Sequence, residues 1–119
     1  MAQAAHYVLG HSDAELERLK LQSTVFGVIT RRMIRECGIR TGMRVLDIGC
    51  GFGDVSMLLA DAVGPAGKVV AVDREQRAVD AARNRVEDEG YRQIEFVVAT
   101  EETLPEDDPF DAAVGRYVL

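Results

Sequence analysis

No apolar run in the 119 residues approaches the ~20 needed to cross a bilayer, and residues 1–10 lack a basic region followed by an apolar stretch, so no secretory signal is evident. Cysteine is scarce. Cys37 and Cys50 form neither a CxxC pair nor part of a metal-ligand cluster, and so sparse a pair is not a disulfide framework. The expectation is a reducing, cytoplasmic setting. Positive charge is also in deficit, with 14 Lys and Arg against 20 Asp and Glu and a formal net charge of -6. Nucleic acid and anionic membrane both require a basic face, so neither is expected as a partner; a neutral or cationic small molecule remains compatible. Internal repeats and low-complexity segments are absent.

What is present is the balance of an ordinary globular domain, 47% hydrophobic and 29% charged, at a length that suits one core. Ser12 and Glu15 have capping-box spacing at a helix start. Leu16, Leu19, Phe26, Ile29 and Met33 then recur at helical intervals. Two helical stretches are expected, 13–24 and 25–37, with Gly27 as a joint and Gly38 as the stop. From residue 44 the pattern changes. Arg44 to Ile48 reads as a strand buried on both faces, followed by a glycine cluster and a helix carrying Val55, Leu58, Leu59 and Ala62. Gly64 to Gly67 breaks it. A strand over 69–72, a helix with Val79, Ala82 and Val86 inward, a strand over 94–98 and a fourth over 110–114 complete the series.

Such alternation implies an α/β fold, a Rossmann-like, doubly wound and mostly parallel sheet in the order 3-2-1-4. Both crossover helices fall on one face, and the amino-terminal helices are expected to cover the other. Residues 1–40 form an amino-terminal helical lid or cap, and 41–119 the Rossmann-like domain.

The chemistry concentrates in Val45-Leu46-Asp47-Ile48-Gly49-Cys50-Gly51-Phe52-Gly53. Here a buried strand enters a glycine turn that opens a helix. Gly49, Gly51 and Gly53 permit close approach of a ligand and positive φ, and free amides at a helix start attract a negatively polarised group. The dinucleotide fingerprint is G-x-G-x-x-G/A, whereas here the third glycine arrives one position early and Asp54 stands where a small residue is wanted. Asp47, two positions before the first glycine, would repel a pyrophosphate but attract an ammonium group. A cation beside a nucleoside suits this segment better than NAD does.

This segment resembles motif I of the class I S-adenosylmethionine-dependent methyltransferases. Val69 to Asp73 resembles the second motif, in which the terminal carboxylate binds both ribose hydroxyls; Asp73 lies 20 residues past Gly53, a spacing that dinucleotide-binding proteins share. Residues 99–105 and 109–114 resemble the third and fourth motifs of the small-molecule subgroup, which includes quinone-biosynthesis methyltransferases. Thr100 stands where that subgroup commonly has an aspartate facing the adenine amino group. The segment from Tyr7 to Gln22 resembles a leading helix that lids the methionine end of the cofactor.

The resemblance therefore implies S-adenosylmethionine as cofactor, S-adenosylhomocysteine as product, and a small-molecule methyl acceptor. It implies a cofactor set of Asp47, Gly49, Cys50, Gly51, Gly53, Asp73, Arg74, Thr100, Glu101, Arg116 and Tyr7, with no metal and no assignable catalytic base. Bland readings stand beside it. Asp47 or Asp73 could cap the helix that follows, Thr100 could be a plain loop hydroxyl, and Arg116 a solvated surface residue. Cys50 has no partner base in sequence and is not expected to be a nucleophile. The family sheet has seven strands and this sequence carries four, so the chain is expected to be an amino-terminal half, inactive by itself and prone to self-association through its fourth strand. The rival functions are an NAD-dependent oxidoreductase domain and a non-catalytic nucleoside-binding or oligomerisation module.

Overall fold

The computed structural model describes residues 13–100, 103 and 109–115. In order these form α1 (Asp13–Glu36), β1 (Arg44–Ile48), α2 (Asp54–Val63), β2 (Lys68–Asp73), α3 (Gln76–Asp88), β3 (Ile94–Val98) and β4 (Ala112–Gly115). The four strands make one parallel sheet in the order β3-β2-β1-β4, as the alternation of strands and helices implied.

Strand parity places the core. Val45, Val69 and Ala71 point to the face that receives α2 and α3, where they meet Val55, Leu59, Val63, Val79, Ala82 and Val86. Leu46, Val70 and Val72 point the opposite way and pack with Ile48, Val97 and Phe110. A strand with apolar groups on both sides is what a parallel sheet requires. The fourth strand begins at Ala112, two residues later than expected. Phe110 and Asp111 are used instead to fix Arg44: the Asp111 carboxylate accepts the Arg44 N–H at 2.8 Å, and the Arg44 guanidinium lies 4.2 Å from the Phe110 ring centre.

Two expectations for the amino-terminal segment are corrected. A single 24-residue helix replaces the two stretches jointed at Gly27. One interior glycine costs a helix about 1 kcal/mol relative to alanine, too little to break it when neighbours on both sides keep helical conformation. The stop at Gly38 is as expected: Ile39 N–H reaches the Ile34 carbonyl at 3.3 Å and Gly38 N–H the Arg35 carbonyl at 3.0 Å, the Schellman pairing. The second correction concerns side. Ile34 of α1 is buried with Val45, Val55, Leu59 and Val69, so α1 lies on the same face as α2 and α3 rather than covering the other. Ser12, half of the expected capping box, lies outside the described residues.

Candidate functional site

All four strands run parallel, so Ile48, Asp73, Val98 and Gly115 end at one edge of the sheet. Ligands of open α/β sheets bind outside this edge, at the point where strand order reverses. Here that point lies between β1 and β4. The segment that leaves β1 is the glycine turn.

Three of its residues have positive φ: Gly49 (74°), Gly51 (56°) and Gly53 (91°). The last two use glycine for different reasons. A Cβ on Gly53 would come 3.1 Å from Val86 Cγ2 and 3.6 Å from Ala82 Cβ, so Gly53 lets the turn pack onto α3. A Cβ on Gly51 would meet nothing within 4 Å. Gly51 therefore faces open space, and that is where a ligand could approach the backbone. The residue between them, Phe52, is two-thirds exposed.

The turn that leads into the helix start holds its own amides, while the Gly53 N-cap brings no side-chain cap to the first amides of α2. Gly49 and Cys50 N–H both donate to the Val72 carbonyl, at 2.8 and 2.9 Å, and Gly53 N–H donates to the Cys50 carbonyl at 3.0 Å. Gly51 N–H donates to Asp73 Oδ2 at 3.2 Å. These four amides are satisfied within the protein, so they do not form the cradle of open donors that a pyrophosphate needs. Three carboxylates stand around the turn, Asp47 in the core below it, Asp54 at the start of α2 and Asp73 at the end of β2, and of these Asp54 is paired with Arg85 of α3.

Asp73 combines both readings open in the sequence. Its Oδ1 accepts the Glu75 N–H at 3.1 Å, the role of a turn acid leading into α3, while Oδ2 reaches back to Gly51. A carboxylate offers about four lone-pair sites, which leaves acceptor capacity at the strand end for a diol. Asp47 is fully buried, and its Oδ2 accepts the Ser56 hydroxyl at 2.5 Å. Cys50 is fully buried too, packed with Ala71, Val79, Ala82, Val86 and Phe96; its side chain belongs to the core.

Arg74 is exposed just beyond β2. Thr100 is exposed two residues beyond β3; its N–H donates to Thr103 Oγ1 at 2.8 Å, and the preceding Ala99 N–H donates to the Asp73 carbonyl at 3.1 Å. The structure thus brings the glycine turn, Asp73 and the approach to Thr100 to one edge. Tyr7, Glu101 and Arg116 lie outside the described residues. Among those described, no group of three or more His, Cys, Asp or Glu could hold a metal ion, and no helix is long and apolar enough to cross a membrane.

Sequence reasoning passed over two residues. Ser56 interrupts the buried face of α2 and holds Asp47. Arg85 of α3 bonds Asp54 Oδ1 at 2.7 Å and the Phe52 carbonyl at 3.3 Å, tying the turn to α3. A buried serine in an apolar helix face was a readable signal. Arg85 had none, being one of several charges on an exposed face.

Comparison with known proteins agrees with this geometry. The family described as "Methyltransferase domain" matches residues 39–119. A ubiquinone/menaquinone biosynthesis C-methyltransferase, UbiE, of Hahella chejuensis is 43% identical over 91 residues, 75% of this chain and 36% of that protein. A demethylmenaquinone methyltransferase of Lactococcus lactis is 33% identical over 89 residues, 74% of this chain and 35% of its own length. The chain thus spans about a third of these relatives. Among solved structures, a SAM-dependent methyltransferase from Aquifex aeolicus superposes with a TM-score of 0.62 at 33% identity, covering 64% of this chain and 40% of that one.

Proposed function

This chain belongs to the class I S-adenosylmethionine-dependent methyltransferases, and from that premise we propose that the protein methylates a small molecule, with a quinone precursor as the leading acceptor. The support for that acceptor is what the Hahella and Lactococcus relatives are named for. When bound, the cofactor supplies a sulfonium methyl group already electrophilic enough for displacement. The protein's task is then alignment of donor and acceptor.

In this reading Gly51 gives the cofactor access to the backbone, and Asp73 accepts the ribose hydroxyls. Asp47 attracts the ammonium of the methionine end from beneath the turn. Thr100 and Glu101 border the adenine, Arg74 flanks the ribose, and Gly49, Cys50 and Gly53 hold the turn in shape. Residues 1–40, with Tyr7, serve as a lid, and Arg116 lines the cleft beyond β4. No catalytic base is assigned.

The single observation that carries the cofactor reading is the chemistry of the turn: the amides of Gly49, Cys50, Gly51 and Gly53 are satisfied internally, while the Asp47 and Asp73 carboxylates lie at the ends of the two strands that flank it. That arrangement opposes a pyrophosphate and suits a cationic amino-acid end. Calorimetric titration with S-adenosylhomocysteine, with NAD in parallel, tests it. Saturable binding of S-adenosylhomocysteine alone is expected, and Asp73→Ala should weaken it by about 1.5–3 kcal/mol, the range for hydrogen bonds to a charged group. Binding of NAD alone would overturn the reading, and unchanged affinity in a folded Asp73→Ala variant would remove Asp73 from the site.

A self-association reading rests on the β4 edge of the sheet. Among the described residues β4 pairs only with β1, and beside it runs a groove of about 270 Å³ lined by Phe26, Met33, Ile34, Val55 and Val114. An open strand edge beside apolar surface favours pairing between chains. Sedimentation equilibrium should show mass rising with concentration; a concentration-independent monomer would count against it.

A further inference from the structure

We propose that Ser56 is a positioning residue for cofactor recognition, holding the buried Asp47 carboxylate in the orientation from which its charge attracts the ligand ammonium through the turn. The proposal rests on the assignment of Asp47 to that ammonium and adds the group that aims it. Both side chains are fully buried, and the Ser56 hydroxyl donates to Asp47 Oδ2 at 2.5 Å. A carboxylate taken out of water is costly unless it is hydrogen-bonded. Across the sheet Asp47 sits level with Ala71 on β2 and Val114 on β4, and neither side chain carries a donor. Ser56 brings a donor from α2, the helix that the glycine turn opens.

The setting of Ser56 argues that its hydroxyl has a use. Val55, Leu59, Ala60 and Val63 make up the rest of the buried surface of α2. An alanine would fill a small site there with a better helix propensity and no polar atom to desolvate. Ser56 also falls in the first turn of α2, where the amide end of the helix dipole favours a neighbouring anion. One hydroxyl thus couples the end of β1 to the start of α2 directly beneath Gly49 to Gly53. Removing it would loosen that coupling while leaving the nucleoside side of the site, which Asp73 governs from β2, unchanged.

That separation supplies the test. S-adenosylhomocysteine and methylthioadenosine share the nucleoside and the thioether, but only the first carries the amino-acid ammonium. Both are titrated calorimetrically against the wild-type chain, Ser56→Ala, Ser56→Thr and Asp47→Asn, with folding checked by circular dichroism. Ser56→Ala is expected to weaken S-adenosylhomocysteine roughly tenfold, the scale of one hydrogen bond to a charged group, and to leave methylthioadenosine within about twofold. Ser56→Thr, which keeps the hydroxyl, should restore most of the loss; if alanine prevents folding, Ser56→Cys, close in volume and a weak donor, takes its place with the same expectation. Equal weakening of both ligands would show a structural role only and overturn the proposal, as would no weakening. If Asp47→Asn separates the two ligands and Ser56→Ala does not, the Ser56 proposal alone fails. Should Asp47→Asn fail to separate them, or the wild type bind neither, the underlying assignment falls first.

Discussion

The two sides of β1 are built to different standards. Toward β2, the strand, the glycine turn, α2 and α3 enclose Val45, Leu59, Val63, Val69 and Val79 with no exposed surface. Toward β4, α1 leaves Leu21, Val28 and Met33 more than half exposed, and the groove beside β4 stands open. The first side holds one geometry through many mutually supporting contacts, as a site that must present fixed groups to a ligand requires. The second has apolar surface without matching cover. The glycine turn and Asp73 thus stand on the enclosed side, and the uncovered apolar surface lies beside β4.

Paired glycine substitutions should break or sharpen this contrast. Gly53 combines positive φ with the close approach of Val86. Gly53→Val adds a left-handed penalty of about 1–2 kcal/mol to an overpacking penalty of about 1–3 kcal/mol, so a loss of about 2–5 kcal/mol is expected in urea unfolding. Gly27, in the middle of α1, would place a Cβ 3.6 Å from Arg31 Nη1, an ordinary contact. Gly27→Ala should stabilise by about 0.5–1 kcal/mol. The same urea series compares the two. A neutral Gly53→Val would mean that the turn is not pinned to α3, and the contrast between the sides would collapse.

The better-packed side was also the more legible. Arg44–Ile48 and Ile94–Val98 were readable as strands because their apolar runs suit only a parallel sheet, and the glycine turn announced itself by spacing. The amino-terminal helix was harder for a physical reason. Leu19, Leu21, Val25, Phe26, Val28, Ile29 and Met33 wrap around much of α1 and remain exposed, so no single stripe said which surface faces the sheet. Periodicity found the helix and could not orient it. The partners of the turn amides were hidden for a related reason: the acceptors of Gly49, Cys50 and Gly51, the Val72 carbonyl and Asp73, come from the next strand, more than 20 residues on. Likewise the Ser56–Asp47 bond joins a strand to a helix across the turn. Local pattern located these groups, and only tertiary structure paired them.

The smallest expected effect tests how α1 meets the enclosed side. Tyr91 packs against the clusters of both α2 and α3, and its hydroxyl donates to Asp61 Oδ1 at 2.9 Å. Burial above all, then the Asp61 hydrogen bond and the charges of Asp61 and Glu89, push its pKa from 10.0 to about 12, while Arg31 of α1 pulls the other way. The folded state therefore retains the phenol proton. The stabilisation linked to it is fully present below pH 10 and is lost as pH rises through about 12. Ultraviolet titration of phenolate, taken as the difference between the wild type and Tyr91→Phe, should place this tyrosine above the ordinary range. Arg31→Gln should move it slightly higher still, because the opposing charge of Arg31 is gone. A titration that Arg31→Gln leaves unmoved would mean that α1 does not rest against the body of the domain at this point, and the open side would extend to the whole helix.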